Sequence, residues 1–330
     1  MSWKKGVLIG IAILVSIYFA GAVFWSSTPE HPPRGFPNEN LLRLALAVKW
    51  IKLVNTEPAE DESVIELHDR VYKTVGEDTC KLDIFRSKDQ VKPAPCLVFI
   101  HGGGWRSGKK EDYRLYQLEF ARKGFVTVSI NYRLVKSARF PAAVNDAKCA
   151  IQWLRAHASE YLIDPRKFAV IGGSAGGHLS MMVGYSSDDD RWNTECSADT
   201  LGSQVSAVVN LYGPVDLTTE YGSSHSLTRN FMGVSYQERT DLYRRGSPRF
   251  YISPDDPPTL TFHGTIDGLV PVSQADSLER WLNSAGVYHE YHRLEGWPHA
   301  MDLAKPVNDY VQHHMSEFFN QLFQGSPEDY

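Results

Sequence analysis

The sequence lacks the usual marks of nucleic-acid, metal or redox proteins. Its formal net charge is −5, and no long basic block offsets this, which argues against a general nucleic-acid binder. The four cysteines show no CxxC spacing and no paired histidine pattern, so neither a zinc site nor a redox motif is indicated. The run Asp188-Asp189-Asp190 is interpreted as a solvated loop. We therefore expect no cofactor and no metal.

The sequence also lacks a pattern that assigns the cysteines a role. Cys80, Cys96, Cys149 and Cys196 are interpreted as buried free thiols. In an exported domain, oxidising conditions permit up to two disulfides among three possible pairings, and the spacing does not choose between them.

One long apolar run lies at the N-terminus. Lys4 and Lys5 precede the stretch from Gly6 to Trp25, which as a helix is long enough to cross a bilayer core of roughly 30 Å. Basic residues before the run keep that end cytoplasmic, so residues 6–25 predict a single-pass transmembrane helix with the rest of the chain on the non-cytoplasmic side. The alternative is a cleaved signal at Ala20-Gly21-Ala22, which leaves a secreted or periplasmic protein in the same compartment.

A proline-rich segment follows this run. Pro29, Pro32, Pro33 and Pro37 predict a stiff irregular connector. The apolar stretch from Leu41 to Val54 predicts a short helix, which lies either at the membrane surface or against the catalytic domain. We therefore divide the chain into an anchor or signal segment (1–27), a linker with a short helix (28–63) and one catalytic domain (64–330).

The remaining chain alternates short β-branched or aromatic runs with helix-period segments, as in a parallel sheet with crossover helices. A helix is predicted from Pro141, and the segments 186–198 and 217–253 are predicted to form loops or a small cap. Seven strands are predicted: Lys81–Arg86, Cys96–Ile100, Phe125–Ile130, Phe168–Ile171, Ser206–Leu211, Thr259–His263 and Glu290–Leu294.

A candidate nucleophile lies between a strand and a helix. The stretch Gly172-Gly173-Ser174-Ala175-Gly176-Gly177 contains the G-x-S-x-G pattern, in which glycines relieve crowding around a serine at the apex of a tight turn. The backbone N–H of Ala175, at the helix N-terminus, is directed at charge that develops on the substrate. A phosphate-binding loop would require Gly-Lys-Ser/Thr, which is not present.

A second glycine run ends the strand Cys96–Ile100. In His101-Gly102-Gly103-Gly104-Trp105, the backbone N–H groups of Gly103 and Gly104 can join that of Ala175 in an oxyanion hole. His101 precedes these glycines directly and is predicted to shape the loop rather than to act as a base.

A serine nucleophile needs an imidazole and a carboxylate. Asp267 follows the strand Thr259–His263, and His299 lies in the loop after the last predicted strand, so Ser174, Asp267 and His299 occur in the order that the α/β-hydrolase fold uses. The sequence leaves other candidates open. They are Asp216, Asp255 and Asp256 for the acid, and His263, His289 and His292 for the base.

With these residues in place, the chain from about Val71 onward resembles the α/β-hydrolase superfamily, and within it the carboxylesterases and acetyl or feruloyl esterases. The supporting motifs are His101-Gly102-Gly103-Gly104-Trp105, Asn131-Tyr132-Arg133-Leu134, Phe140-Pro141-Ala142-Ala143 with Asp146, Gly172 to Leu179, and His263-Gly264-Thr265-Ile266-Asp267. The resemblance implies an α/β-hydrolase fold and transfer of an acyl group from an ester to Ser174 and then to water.

The resemblance leaves the substrate open. We expect a carboxylesterase for short acyl or aryl esters, either small molecules or groups linked to polysaccharide. An amidase, formamidase or serine peptidase of the same fold is the alternative. A non-catalytic binding protein would need a broken triad, and all three residue types are present. The sequence does not indicate an oligomeric state.

Overall fold

The computed structural model describes residues 28–187, 189, 192, 196 and 201–323. The predicted anchor, residues 6–25, lies outside these residues, and so does most of the polar stretch 186–198. Within the described ranges, no helix combines the length and the apolar character that crossing a bilayer requires.

The core is an eight-stranded, mostly parallel sheet in the order β1-β2-β4-β3-β5-β6-β7-β8. Its first two strands pair antiparallel, β2 pairs antiparallel with β4, and the pairs from β4 through β3, β5 and β6 to β7 are parallel. The strands are β1 Val64–Val75, β2 Asp78–Ser87, β3 Ala94–Ile100, β4 Val126–Ile130, β5 Ile163–Gly173, β6 Ala207–Leu211, β7 Thr259–Gly264 and β8 His289–Leu294.

Helices flank the sheet and also fill the region predicted as a cap. The α-helices are α1 Glu39–Ala47, α2 Arg114–Arg122, α3 Ala142–Ala156, α4 Ala175–Tyr185, α5 Glu220–Ser224, α6 Ser226–Met232, α7 Thr240–Arg245, α8 Ser273–Ala285 and α9 Lys305–Phe323. Helix α3 begins after Pro141, where the sequence predicts a helix start. Helix α1 begins before the predicted Leu41 and ends at Ala47, well short of Val54.

The central strands are buried along almost their whole length. Every residue of β4, β6 and β7 is buried, as expected for parallel strands covered on both faces. All seven predicted strands are present. Strand β1 is not predicted, because Glu66, His68, Asp69 and Arg70 interrupt its apolar pattern. This strand pairs only with β2, and most of its residues remain partly exposed.

The chain divides into two compact units. In the described residues, the first unit comprises residues 28–54, 263–269 and 292–323, and the second comprises 55–187, the described positions between 189 and 262, and 270–291. Strands β7 and β8 each run from the second unit into the first. The domain boundaries after residues 27 and 63 remain a prediction from the sequence.

In the first unit, the proline-rich segment forms neither a helix nor a strand, but it is packed against the rest of the unit. The amides of Gly35 and Phe36 donate to the carbonyl oxygens of Glu295 and Gly296, at 3.1 and 2.8 Å. The indole Nε1 of Trp297 donates to the Pro33 carbonyl at 2.7 Å, and the buried ring of Phe36 meets that of Trp297 edge-on. The segment is therefore fixed to the chain that precedes His299.

The second unit contains one disulfide, between Cys149 and Cys196. The interpretation of all four cysteines as free thiols is therefore wrong for this pair. It holds for Cys80 and Cys96, which are buried and free. Cys149 lies on α3 and Cys196 is 47 positions further along the chain, so only the folded structure brings them together.

A buried charge cluster lies beneath the segment after β4. The carboxylate of Asp146 accepts hydrogen bonds from Lys73 Nζ at 2.8 Å and from Arg133 Nη2 and Nε at 2.8 and 2.9 Å. Asp146 also accepts from the amide of Arg133 at 2.9 Å. The family motifs Asn131 to Leu134 and Phe140 to Asp146 are thus joined by one fully buried carboxylate.

Replacing Asp146 with asparagine should destabilise the protein by about 3–5 kcal/mol, because the buried Lys73 and the partly buried Arg133 lose the charge that compensates them. Urea unfolding followed by circular dichroism measures this loss. The matched control is Asp241→Asn, which breaks an exposed pair with Arg239 and should leave the midpoint unchanged. Equal midpoints for the two variants would contradict this role of Asp146.

Candidate active site

Ser174 occupies a strained turn between β5 and α4. Its backbone angles are φ 56° and ψ −120°, a region that costs energy for a non-glycine residue and is found at functional sites. A Cβ on Gly172 would overlap the backbone of Gly176, and a Cβ on Gly176 would overlap the carbonyl of Ile100. Gly172 is therefore required for β5 and α4 to approach this closely, and Gly176 for α4 to approach the end of β3. The structure confirms the predicted strand, turn and helix.

Ala175 is the first residue of α4. The first N–H groups of a helix have no acceptor within the helix, so the Ala175 amide can donate to a substrate oxyanion. The turn is held by two backbone hydrogen bonds, from Ser174 N to Leu211 O at 2.8 Å and from His178 N to Ser174 O at 3.0 Å.

The second glycine run lies directly against this turn. A Cβ on Gly102 would approach the Gly173 carbonyl oxygen to 2.8 Å, so the two loops are in contact. Gly103 and Gly104 have φ values of 94° and 59°, which glycine adopts without strain. The structure thus brings the predicted donors Gly103, Gly104 and Ala175 into adjoining loops of the second unit.

His101 supports the glycine loop. Its ring stacks on Tyr132 with centroids 4.3 Å apart, and the Tyr132 hydroxyl donates to the His101 carbonyl at 3.0 Å. Burial of the imidazole lowers the pKa of His101, so the ring is neutral at pH 7. These contacts suit the predicted loop-shaping role, and they assign Tyr132 a supporting role that the sequence analysis does not anticipate.

Asp267 and His299 form a hydrogen-bonded pair in the first unit. His299 Nδ1 lies 2.7 Å from Asp267 Oδ2, and the carboxylate is fully buried while the imidazole is partly exposed. Asp267 Oδ1 accepts a hydrogen bond from the Leu269 amide at 2.8 Å. A carboxylate held in this way fixes the tautomer and the orientation of the imidazole, so that Nε2 is the nitrogen that can exchange a proton.

The side chain of His263 also lies close to this carboxylate. Its Nε2 lies 3.3 Å from Asp267 Oδ2, and its side chain is fully buried. The sequence analysis treats His263 only as a rival base and misses this contact. The available signal is that His263 lies on β7, four residues before Asp267.

The other rivals have different partners. Asp216 is paired with Arg249 Nη1 at 2.6 Å, and Asp256 accepts from the amide of Ser253 in a turn. His289 Nδ1 lies 2.8 Å from the Val287 carbonyl, and His292 Nδ1 lies 2.7 Å from the Tyr310 hydroxyl. Asp267 is therefore the candidate acid that contacts a candidate base.

An aromatic cluster connects the glycine loop, α4 and the cap region in the second unit. Trp105 stacks on Phe231 with centroids 4.3 Å apart, and His178 meets both rings edge-on. His178 Nε2 lies 2.7 Å from the Gly246 carbonyl, so Nε2 carries the proton. Burial lowers the pKa of His178 to about 4.

This low pKa predicts that the free energy of unfolding decreases as the pH is lowered. An unfolded histidine takes up a proton near its ordinary pKa of about 6.5, whereas folded His178 stays neutral until about pH 4. Proton uptake therefore favours unfolding as pH falls from about 6.5 to about 4, and it has no effect above that window. His178→Gln should remove part of this loss of stability; His101, whose pKa is also lowered, contributes another part. The midpoints of urea unfolding at pH 7.5, 5.5 and 4.5 measure the loss in both proteins. An unchanged pH slope would contradict the assignment.

One group of side chains in the described residues could hold a metal ion. His313, His314 and Glu317 on α9 have potential ligand atoms within 4.8 Å of one another. Glu317 is largely exposed, and the pairing of Asp267 with His299 does not involve this group.

The chain is similar to a protein family and to several known esterases. The BD-FAE family model matches residues 82–282. Esterase LipC of Mycobacterium tuberculosis (strain ATCC 25618 / H37Rv) is 33% identical over 258 residues, which cover 75% of this chain and 64% of LipC. A truncated carbohydrate esterase from gut microbiota has a TM-score of 0.69 at 26% identity, over 81% of this chain and 99% of that chain. Esterase Est2 of the Planctomycetes species Thermogutta terrifontis has a TM-score of 0.67 at 28% identity, over 79% of this chain and 94% of that chain.

Because the family model matches more than half of the sequence, this chain belongs to the BD-FAE family. The predicted resemblance to esterases of the α/β-hydrolase superfamily is confirmed. The chain spans slightly less than two thirds of the length of LipC.

Proposed function

We propose that this chain is a serine carboxylesterase of the α/β-hydrolase fold in which Ser174, His299 and Asp267 act as one triad. His299 Nε2 takes the proton of the Ser174 hydroxyl as its oxygen attacks the ester carbonyl carbon. Asp267 stabilises the imidazolium that forms. The backbone N–H groups of Gly103, Gly104 and Ala175 bind the negative charge on the carbonyl oxygen.

The tetrahedral intermediate collapses with cleavage of the bond to the alcohol oxygen. His299 gives the proton to that oxygen, and the alcohol leaves while the acyl group stays on Ser174. Water then attacks the acyl carbon while His299 takes its proton; the bond from that carbon to Ser174 Oγ breaks, His299 returns the proton to Oγ, and the acid leaves. No group other than these side chains and amides is needed for the reaction.

The observation that carries this proposal is the 2.7 Å hydrogen bond between His299 Nδ1 and the buried carboxylate of Asp267. It prepares an imidazole for proton transfer in a chain whose serine occupies a strained glycine-lined turn. Membership of the BD-FAE family, with relatives that are named esterases, supports the same chemistry.

The substrates we propose are short acyl or aryl esters, as small molecules or attached to polysaccharide. The similarity to a carbohydrate esterase supports the second group. The test compares an ester and an amide that share an acetyl group and an aromatic leaving group, at equal concentration. The proposal expects faster release from the ester; faster release from the amide would favour an amidase of the same fold.

We further propose that residues 6–25 hold the protein in the membrane with the catalytic domain, residues 64–330, on the non-cytoplasmic side. The Cys149–Cys196 disulfide supports exposure to an oxidising compartment. Protease digestion of intact cells should remove the catalytic domain, and membrane fractions should retain the uncut protein. Release of active protein without membrane disruption would favour signal cleavage, and full protection would contradict the orientation.

A further inference from the structure

A cavity of about 360 Å³ lies beside His299 in the first unit. One side is formed by Leu269 and Pro298, from the loops that carry Asp267 and His299. Helix α1 also lines the cavity, through Glu39, Leu42 and Arg43. The volume is at the lower end of the range for small-molecule sites.

Helix α1 is fixed in this position. Its N-cap residue, Asn38, accepts a hydrogen bond from the Leu41 amide at 3.1 Å, and the preceding Phe36 is hydrogen-bonded to Gly296. Leu42 is 7% exposed, whereas Leu44 on the same helix is 46% exposed. Residues 39–43 precede the part of the chain that the BD-FAE family model matches, residues 82–282.

The chemistry of the reaction decides which half of the ester occupies this cavity. The imidazole that receives the serine proton later donates it to the leaving oxygen, so the alcohol group must lie against His299. A cavity lined by His299 therefore receives the alcohol rather than the acyl group.

We propose that α1 forms one wall of the binding site for the alcohol of the ester, with Leu42 as a specificity-determining residue. This inference rests on the proposed function. The walls contributed by Leu42, Leu269 and Pro298 are apolar, which favours a small and mostly apolar alcohol. At the rim, Arg43 Nη2 and Glu39 Oε2 form an exposed pair at 3.3 Å, and loss of either charge changes the potential at the entrance.

The first test uses the full-length protein with ethyl and butyl acetate, which differ only in the alcohol. Leu42→Ala enlarges the cavity and should raise the butyl to ethyl ratio of kcat/KM by at least about tenfold. Leu44→Ala is the matched control on the exposed face of α1 and should leave this ratio unchanged. For p-nitrophenyl acetate, butyrate and octanoate, which share one alcohol, the relative kcat/KM values should be the same in all three proteins.

The second test does not depend on the folding of a core variant. Arg43→Ala removes an exposed cation at the rim and should raise kcat/KM for acetylcholine, relative to its neutral isostere 3,3-dimethylbutyl acetate, by about two- to fivefold at low ionic strength.

An altered acyl-length preference would overturn the inference, and so would unchanged alcohol ratios in both variants. The proposed function would survive either result provided that wild-type turnover depends on Ser174. Hydrolysis that persists in Ser174→Ala would instead remove the proposed function itself.

Discussion

Ser174→Ala should lower kcat for p-nitrophenyl acetate by at least about 10⁴-fold, with little change in folding. The variant keeps the oxyanion donors but has no oxygen that can accept the acyl group, so no acyl-enzyme forms. The substitution should change the stability little, because the strain at this position lies in the backbone angles, which alanine must also adopt. Steady-state kinetics with circular dichroism on the same sample measures both quantities.

The matched control for this loss is Ser180→Ala. Ser180 is a buried serine on the same helix, α4, and its hydroxyl donates to the Gly176 carbonyl at 2.9 Å. This variant should keep measurable turnover close to that of the wild type. Similar losses in both variants would mean that damage to α4, rather than loss of a nucleophile, explains the result.

Asp267→Asn should lower kcat by about 10⁴-fold while preserving the fold, because the amide is of the same size but no longer fixes the imidazole tautomer or stabilises the imidazolium. His299 Nδ1 would then face a neutral group at the position where a carboxylate now lies 2.7 Å away. Pre-steady-state kinetics should show that acylation itself is slowed.

Asp216→Asn is the informative control for the acid. The Asp216 carboxylate is buried and paired with Arg249, so its replacement should reduce stability yet leave turnover largely intact below the unfolding temperature. If Asp216→Asn abolishes turnover and Asp267→Asn does not, the assignment of the acid is wrong.

The sheet could be predicted from the sequence because parallel strands that are buried on both faces consist of short runs of apolar residues. Each predicted strand corresponds to an observed one, within a few residues except where β5 begins earlier, at Ile163. Strand β1 could not be predicted in this way, because its polar residues face solvent on a strand that has one partner. A continuous apolar run indicates a strand that is buried on both faces, and β1 is not buried in this way.

The site residues could be predicted where the local backbone geometry requires particular residue types. Glycines around Ser174 and after His101 mark turns in which a side chain would clash. The sequence shows only that His263 precedes Asp267 by four residues; the contact between them depends on how the chain turns after β7. The Cys149–Cys196 pair also depends on the long-range fold.

The segment 28–63 shows the same limit. Its prolines predict an irregular connector, and residues 32–36 indeed belong to neither a helix nor a strand. The sequence does not reveal that Phe36 is buried against Trp297, or that α1 faces the cavity beside His299. Such contacts join parts of the chain that are more than 250 residues apart.

The most direct test of the central claim is to label the purified protein with a fluorophosphonate and to locate the modified residue by mass spectrometry. The account predicts a single stoichiometric adduct on the peptide that contains Ser174, formed at a rate that drops sharply in His299→Ala. An adduct on another residue, or no adduct on a protein that is folded and hydrolyses esters, would contradict it.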